Sequence, residues 1–188
     1  MAWEFKEFLK QWVICMNNFQ QPILSIRVMT ADDLDSVLSW RNHPDIRRYM
    51  YTQHEITLVE HRAWFERASQ DSRKHLLVFE VDGVAQGFVN ITELAVFGVA
   101  DWGFYIAPDA VKGTGRQLGA VALEYAFRSL RLHKVCGQAL AFNERSIKFH
   151  CGLGFQQEGF LRDQHHDGKI YHAVICFGLL STEWQPKT

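Results

Sequence analysis

The spacing of apolar residues changes several times along the chain, and each change marks an element. Ile23 to Met29 (ILSIRVM) alternates as a strand, and Thr30-Ala-Asp-Asp then offers an N-cap with acids in the first turn of a helix running through Trp40. Ile56 to Ala68 is a second helical stretch, with Leu58, Val59, Ala63, Trp64 and Phe65 apolar. The period then falls to two. Residues 75–94 read as two strands joined at Asp82-Gly83, a hairpin signal, and residues 99–107 as a third. Residues 108–127 cross a loop with two glycines one residue apart and enter an uninterrupted helical pattern. A strand over 134–142, a short helix from Glu144, and strands over 156–161 and 169–180 joined at Asp167-Gly168 complete the order β-α-α-β-β-β-α-β-α-β-β. Such an order predicts a mixed α/β fold, and its central antiparallel run excludes regular βαβ alternation. Trp3, Phe5, Phe8, Leu9, Trp12 and Val13 also fall at helical spacing, but Pro22 interrupts them. Residues 1–22 are therefore read as an extension ahead of one domain over 23–183.

Composition narrows the function classes. At 188 residues, 47% hydrophobic and 22% charged, the chain can bury one substantial core. A net charge of −1 supplies no broad basic field for nucleic acid or an anionic membrane, so an anion site has to be local. Cys15, Cys136, Cys151 and Cys176 form no CxxC pair, and no signal peptide or apolar run of transmembrane length is visible, so free thiols in the cytoplasm are expected. Nine histidines invite a metal reading, yet no HExxH occurs, and His165-His166 read as neighbours in a surface turn. No metal is expected.

The glycine loop, Gly113-Thr-Gly115-Arg-Gln-Leu-Gly119, is one residue too long for the dinucleotide fingerprint and lacks the P-loop Lys-Ser/Thr. What remains is a loop followed by a helix N-terminus, whose free N–H groups and dipole suit an anion, with Lys112 and Arg116 adding charge. A plain turn whose glycines merely permit positive φ is the alternative.

Farther along, the order Lys112-x-x-Gly115, long helix, strand, then 143-NERSIKFHCGLGF-155 resembles the acetyl-CoA-dependent N-acetyltransferases of the GNAT superfamily over residues 23–180. Asn143, Ser146, Gly154 and Phe155 keep the spacing of that family's second motif. The pyrophosphate motif is looser: Lys112 stands where Gln or Arg is usual, and a register using Gly113-x-Gly115 puts Ala110 in the basic position. The resemblance implies a GNAT fold, a mixed central sheet with helices on both faces. It also implies acetyl-CoA bound by Ile106, Lys112, Gly113, Thr114, Gly115, Arg116, Asn143 and Ser146.

A narrower resemblance rests on Arg41-Asn42-His43, Met50-Tyr51, 60-EHRAWF-65 and the run Asn143 to His150. These look like the branch that acetylates the 4-amino group of UDP-4-amino-4,6-dideoxy-N-acetyl-β-L-altrosamine in pseudaminic acid biosynthesis. It implies that Arg41 and His61 meet a diphosphate and that Met50, Tyr51, Trp64 and Tyr105 wall the sugar or base. His43 and Thr92 also fall in the implied substrate site. A cap before Pro44 is the alternative for His43, and core packing is the alternative for the aromatics. Acetylation of a peptide α-amine, and an acyl-CoA-binding module without catalysis, are the alternatives. Homodimer formation is left open.

Acetyl transfer to an amine needs a neutral nitrogen, a stabilised oxyanion and a proton for the departing thiolate. His150 stands where the superfamily commonly has a Tyr that protonates the thiolate; a histidine packed into the short helix is the alternative. Asn143 reads as a contact to the cofactor arm, an N-cap, or both. The resemblance suggests a Glu as base in the strand before Asn143, but Gln138 occupies that place, and Asp101 is the next candidate. Cys151 is expected to be a buried small residue rather than a nucleophile.

Overall fold

In the computed structural model, which describes residues 21–185, seven strands form a single sheet in the order β1-β2-β3-β4-β5-β7-β6. The strands are β1 (Leu24–Val28), β2 (Lys74–Val81), β3 (Val84–Glu93), β4 (Val99–Ile106), β5 (Lys134–Leu140), β6 (Gln156–His166) and β7 (Tyr171–Leu180). Helices α1 (Leu34–Asn42), α2 (Pro44–Arg47), α3 (Leu58–Ser69), α4 (Thr114–Glu124) and α5 (Glu144–Leu153) connect them. The helical pattern proposed for Trp3 to Val13, and Cys15, lie outside the described residues.

Both faces of the sheet are covered, because its central strands are apolar at odd and even positions alike. Leu77, Phe79, Val89 and Ile91 pack with Leu118, Ala122 and Leu123 of α4 and Leu153 of α5. On the other face Leu76, Val78 and Phe88 pack with Leu34 and Val37 of α1 and Ala68 of α3. The hairpin expected at Asp82-Gly83 turns there with both residues at positive φ, 52° and 77°.

The short helix α2 is absent from the sequence expectation, and three further features differ from it. The helix after Thr30 begins as a tight 3-10 turn over Ala31–Asp33. The long helix ends in a π turn over Tyr125–Ser129. Strand β6 continues to His166, so His165 and His166 stand on a paired strand opposite His172 and Tyr171, not in a turn.

The 3-10 turn is tied to the sheet by charge. Arg27 of β1 forks onto Asp33, Nη1 to Oδ2 at 2.7 Å and Nη2 to Oδ1 at 2.8 Å, and its Nε meets Glu80 of β2 at 2.7 Å. The guanidinium holds the Asp33 carboxyl below its ordinary range. A depressed folded-state pKa contributes stability above the unfolded value of about 3.9 that is lost as pH falls through the folded one. Asp33→Asn should therefore lower the urea midpoint at pH 7, and the gap to wild type should close as pH falls below about 4.

Candidate active site

Strands β4 and β5 run parallel but pair at only three rungs, Val99–Lys134, Ala100–Val135 and Asp101–Cys136, and then separate. Beyond Asp101 the β5-facing backbone groups of β4 have no neighbouring strand, which leaves a fork in mid-sheet. An extended amide-bearing chain can complete that edge as an added strand would. Gly113, the N-cap of α4, has φ of 105°, a left-handed conformation suited to glycine, and Thr114 closes the turn by donating from Oγ1 to Val111 O at 2.7 Å. Lys112 and Arg116 are exposed there, and neither forms an ion pair among the described residues. A methyl group at Gly115 would touch Ile106 Cγ1 at 3.8 Å, so α4 starts against the end of β4. Fork, helix N-terminus and free cations together suit a co-substrate with an amide-bearing arm and a pyrophosphate, as in acetyl-CoA.

On the other face of the sheet lies a cavity of about 390 Å³. Five residues expected at the substrate site line it: Arg41, Met50, His61, Trp64 and Tyr105. Arg41 donates from Nη2 to Thr52 O at 2.8 Å, while its Nη1 is buried without a partner. His61, 4% exposed, stacks on Trp64 at 5.0 Å, and its Nε2 is likewise buried and unpartnered. Burial, then the nearby Arg41 cation, pushes the His61 pKa down, so the ring is neutral near pH 7. Burial holds the Tyr105 phenol far above its usual range, and hence protonated. Trp64 serves both cavity and core, meeting Phe88 edge-on at 5.9 Å, whereas Phe65 packs against the core. Thr52, Asn90 and Gly103 also line the cavity but were not anticipated. Asn90 was open to inference, since it alternates with the buried Val89 and Ile91 of β3.

The segment 48–52 straps the cavity to the fork. Met50 and Thr52 line the cavity, while Tyr49 packs on Phe142 at 6.0 Å. Tyr51 rests on His165 at 4.9 Å and donates its hydroxyl to Gln138 Oε1 at 2.8 Å. Tyr51 is thus at the fork and not in the cavity wall. His43 is outside the cavity too: it caps α2, its Nδ1 accepting from the Asp45 N–H at 3.3 Å. Thr92 is not a lining residue; it stands opposite Asp101 in the β3–β4 register and donates to Asn90 Oδ1 at 3.4 Å.

His150 does not reach the fork as a proton donor. It is 1% exposed, stacked on Phe177 at 4.7 Å. Its Nδ1–H donates to Ser146 O at 2.8 Å, and its Nε2 accepts from the Trp102 indole N–H at 3.2 Å. Burial lowers its pKa, so the ring is neutral and its one proton is committed to a carbonyl. The packed-histidine alternative describes it. Cys151 is exposed, contrary to expectation, because it lies on the outer side of α5. Asn143 caps α5, its Oδ1 accepting from the Ser146 N–H at 3.1 Å. Asn143→Ala should cost about 1 kcal/mol, seen as a fall in Tm of roughly 2 to 4 °C. Among the described residues no cluster of three potential metal ligands occurs, and no helix is long and apolar enough to cross a membrane.

A mixed sheet opened between two parallel strands, with a helix N-terminus at the opening, suits an enzyme that takes an acyl-CoA along the opening. The Acetyltransferase (GNAT) domain family matches residues 24–156, and the chain belongs to it. Its activity is acetyl-CoA-dependent N-acetyl transfer. The chain is similar to the acetyltransferase PseH of Campylobacter jejuni, with 31% identity covering 78% of this chain and 88% of the relative. It is 27% identical to the spermidine N(1)-acetyltransferase of Escherichia coli, covering 81% and 83%. Among solved structures, a spermidine N-acetyltransferase of Vibrio cholerae in complex with CoA and spermine matches with a TM-score of 0.79 at 24% identity, covering 85% of this chain and 96% of that one. That likeness concerns the fold.

Proposed function

We propose that the acceptor is the 4-amino group of a UDP-linked amino-dideoxy sugar, in the manner of UDP-4-amino-4,6-dideoxy-N-acetyl-β-L-altrosamine, and that the product belongs to pseudaminic acid biosynthesis. The observation that carries this reading is the pair of unpartnered nitrogens in an aromatic cavity: the donor Arg41 Nη1 and His61 Nε2, beside Trp64 and Tyr105. A buried guanidinium nitrogen lacking a partner, Arg41 Nη1, is suited to a phosphate oxygen, and aromatic walls suit a base or an apolar sugar face. A polyamine needs the opposite lining. Glu60, the carboxylate among the lining residues, is already engaged by the Thr57 N–H at 2.7 Å and by His54 at 3.2 Å. The similarity to PseH points the same way.

In this reading acetyl-CoA lies along the fork, its pyrophosphate at Gly113, Thr114, Gly115 and Arg116 with Lys112 alongside, and its arm against Ile106, Asn143 and Ser146. The sugar approaches from the cavity face, so amine and thioester meet at the opening and transfer is direct. Calorimetric titration with UDP tests the acceptor class: UDP should bind and spermidine should not. Binding of spermidine with none of UDP would contradict it.

A further inference from the structure

Direct transfer leaves one need unmet, a group that takes the proton from the attacking nitrogen. On the acceptor side of the fork stand Asp101 of β4, Cys136 and Gln138 of β5, Cys176 of β7 and Tyr51 of the strap, with Thr92 of β3 opposite Asp101. The side assignment follows from contacts. Tyr105, in alternation with Asp101, packs on Phe88 on the cavity face, whereas Trp102 and Phe104 pack on His150 and Phe149 of α5. A methyl group at Gly137 would strike His150 and Trp102, so Cys136 and Gln138 face the acceptor side.

Few of these groups can accept a proton. An amide is not basic, and Gln138 Oε1 already accepts from Tyr51. Burial raises both the Tyr51 phenol and the Cys136 thiol, keeping them protonated near neutrality. Asp101 differs. It occupies the last rung before the strands part, and its carboxylate makes no hydrogen bond or ion pair among the described residues. Its charge is felt at both Tyr51 and Cys136, so it is close to the groups flanking the opening. The nearest ion pair on β5, Lys134 with Glu158, is internally satisfied at 2.6 Å.

We propose that Asp101 is the general base of the transfer, with Gln138 and the Tyr51 hydroxyl positioning the acceptor nitrogen beside it. The assignment rests on the N-acetyltransferase reading. The neutral amine attacks the thioester carbon and loses one N–H proton to the carboxylate; the N–C bond forms and the C–S bond breaks. The bonding pair stays on sulfur, and the proton passes from Asp101 through water to the thiolate. Atoms and charge balance with no further reactant.

Burial raises the Asp101 pKa, and the base must be ionised. Rate should therefore rise with pH along an acidic limb lying above the ordinary carboxylate range. The test uses the full chain and whichever amine of a panel (UDP-4-amino sugar, spermidine, N-terminal peptides) wild type acetylates. Asp101→Asn should lower kcat roughly hundredfold or more and remove the acidic limb, with KM for acetyl-CoA changed less than about threefold. Gln138→Glu in the D101N background should restore at least about tenfold, because it returns a carboxylate to the same side of the fork. A purely structural Asp101 predicts no such rescue. Asp101→Glu, which keeps the acid, should retain the limb even where D101N folds poorly. D101N within about threefold of wild type, or loss of the limb in His165→Gln instead, would overturn the assignment. If the UDP-sugar is not among the amines used, the acceptor reading fails while the Asp101 result stands on its own.

Discussion

Arg41→Ala should raise KM for a UDP-amino sugar by roughly 10- to 150-fold, the equivalent of losing about 1.5 to 3 kcal/mol of charged hydrogen bonding. KM for acetyl-CoA should hardly change. The expectation follows from where the guanidinium sits. One nitrogen is anchored on Thr52 O at the far end of the strap, and Nη1 is buried in the cavity with nothing to bond. Such a group is costly to bury unless a ligand completes it. Arg41→Lys should recover little, since an ammonium cannot hold the strap and donate a second parallel bond. Steady-state kinetics with each substrate varied reads the split. Equal loss toward both substrates would point instead to collapse of the strap.

Trp102→Ala should be the most destabilising of the substitutions considered, at about 3 to 5 kcal/mol. For a chain of this length that is a fall in Tm of roughly 6 to 20 °C. The indole stacks on Phe155 at 5.1 Å and Phe149 at 6.1 Å, and its N–H is the donor to His150 Nε2. Removing it opens a cavity between sheet and α5 and strands a buried acceptor. Trp102→Phe keeps the packing but not the donor, so it should cost less. Thermal unfolding of both variants separates the two contributions.

What was legible in the sequence was what depends on neighbours in the chain. The Asp82-Gly83 hairpin, the Gly113 turn and the periodicity of α3 and α4 are local, and each appears near its expected place. The strap is different. Residues 48–52 have no period and no turn signature, and their order comes from partners such as Gln138, 87 positions away from Tyr51. For that reason Tyr51 was expected in the cavity wall and stands at the fork. For His150 the sequence offers two readings, a motif position and a helical one, and the packed, helical one describes the structure. His150 shares the buried face of α5 with Leu153, a spacing the sequence already contained. Arg41, Met50, His61, Trp64 and Tyr105 converge although they come from two helices, the strap and a strand, which no single stretch could reveal.

One assay decides whether this fork and this cavity together acetylate an anionic amino sugar. It is thiol release from acetyl-CoA by the purified protein, with the UDP-4-amino sugar, spermidine, N-terminal peptides and no acceptor run side by side. Release with the UDP-sugar well above the other three is the result expected. Release with spermidine or peptides, and none with the UDP-sugar, would contradict the acceptor while leaving the acetyltransferase fold in place.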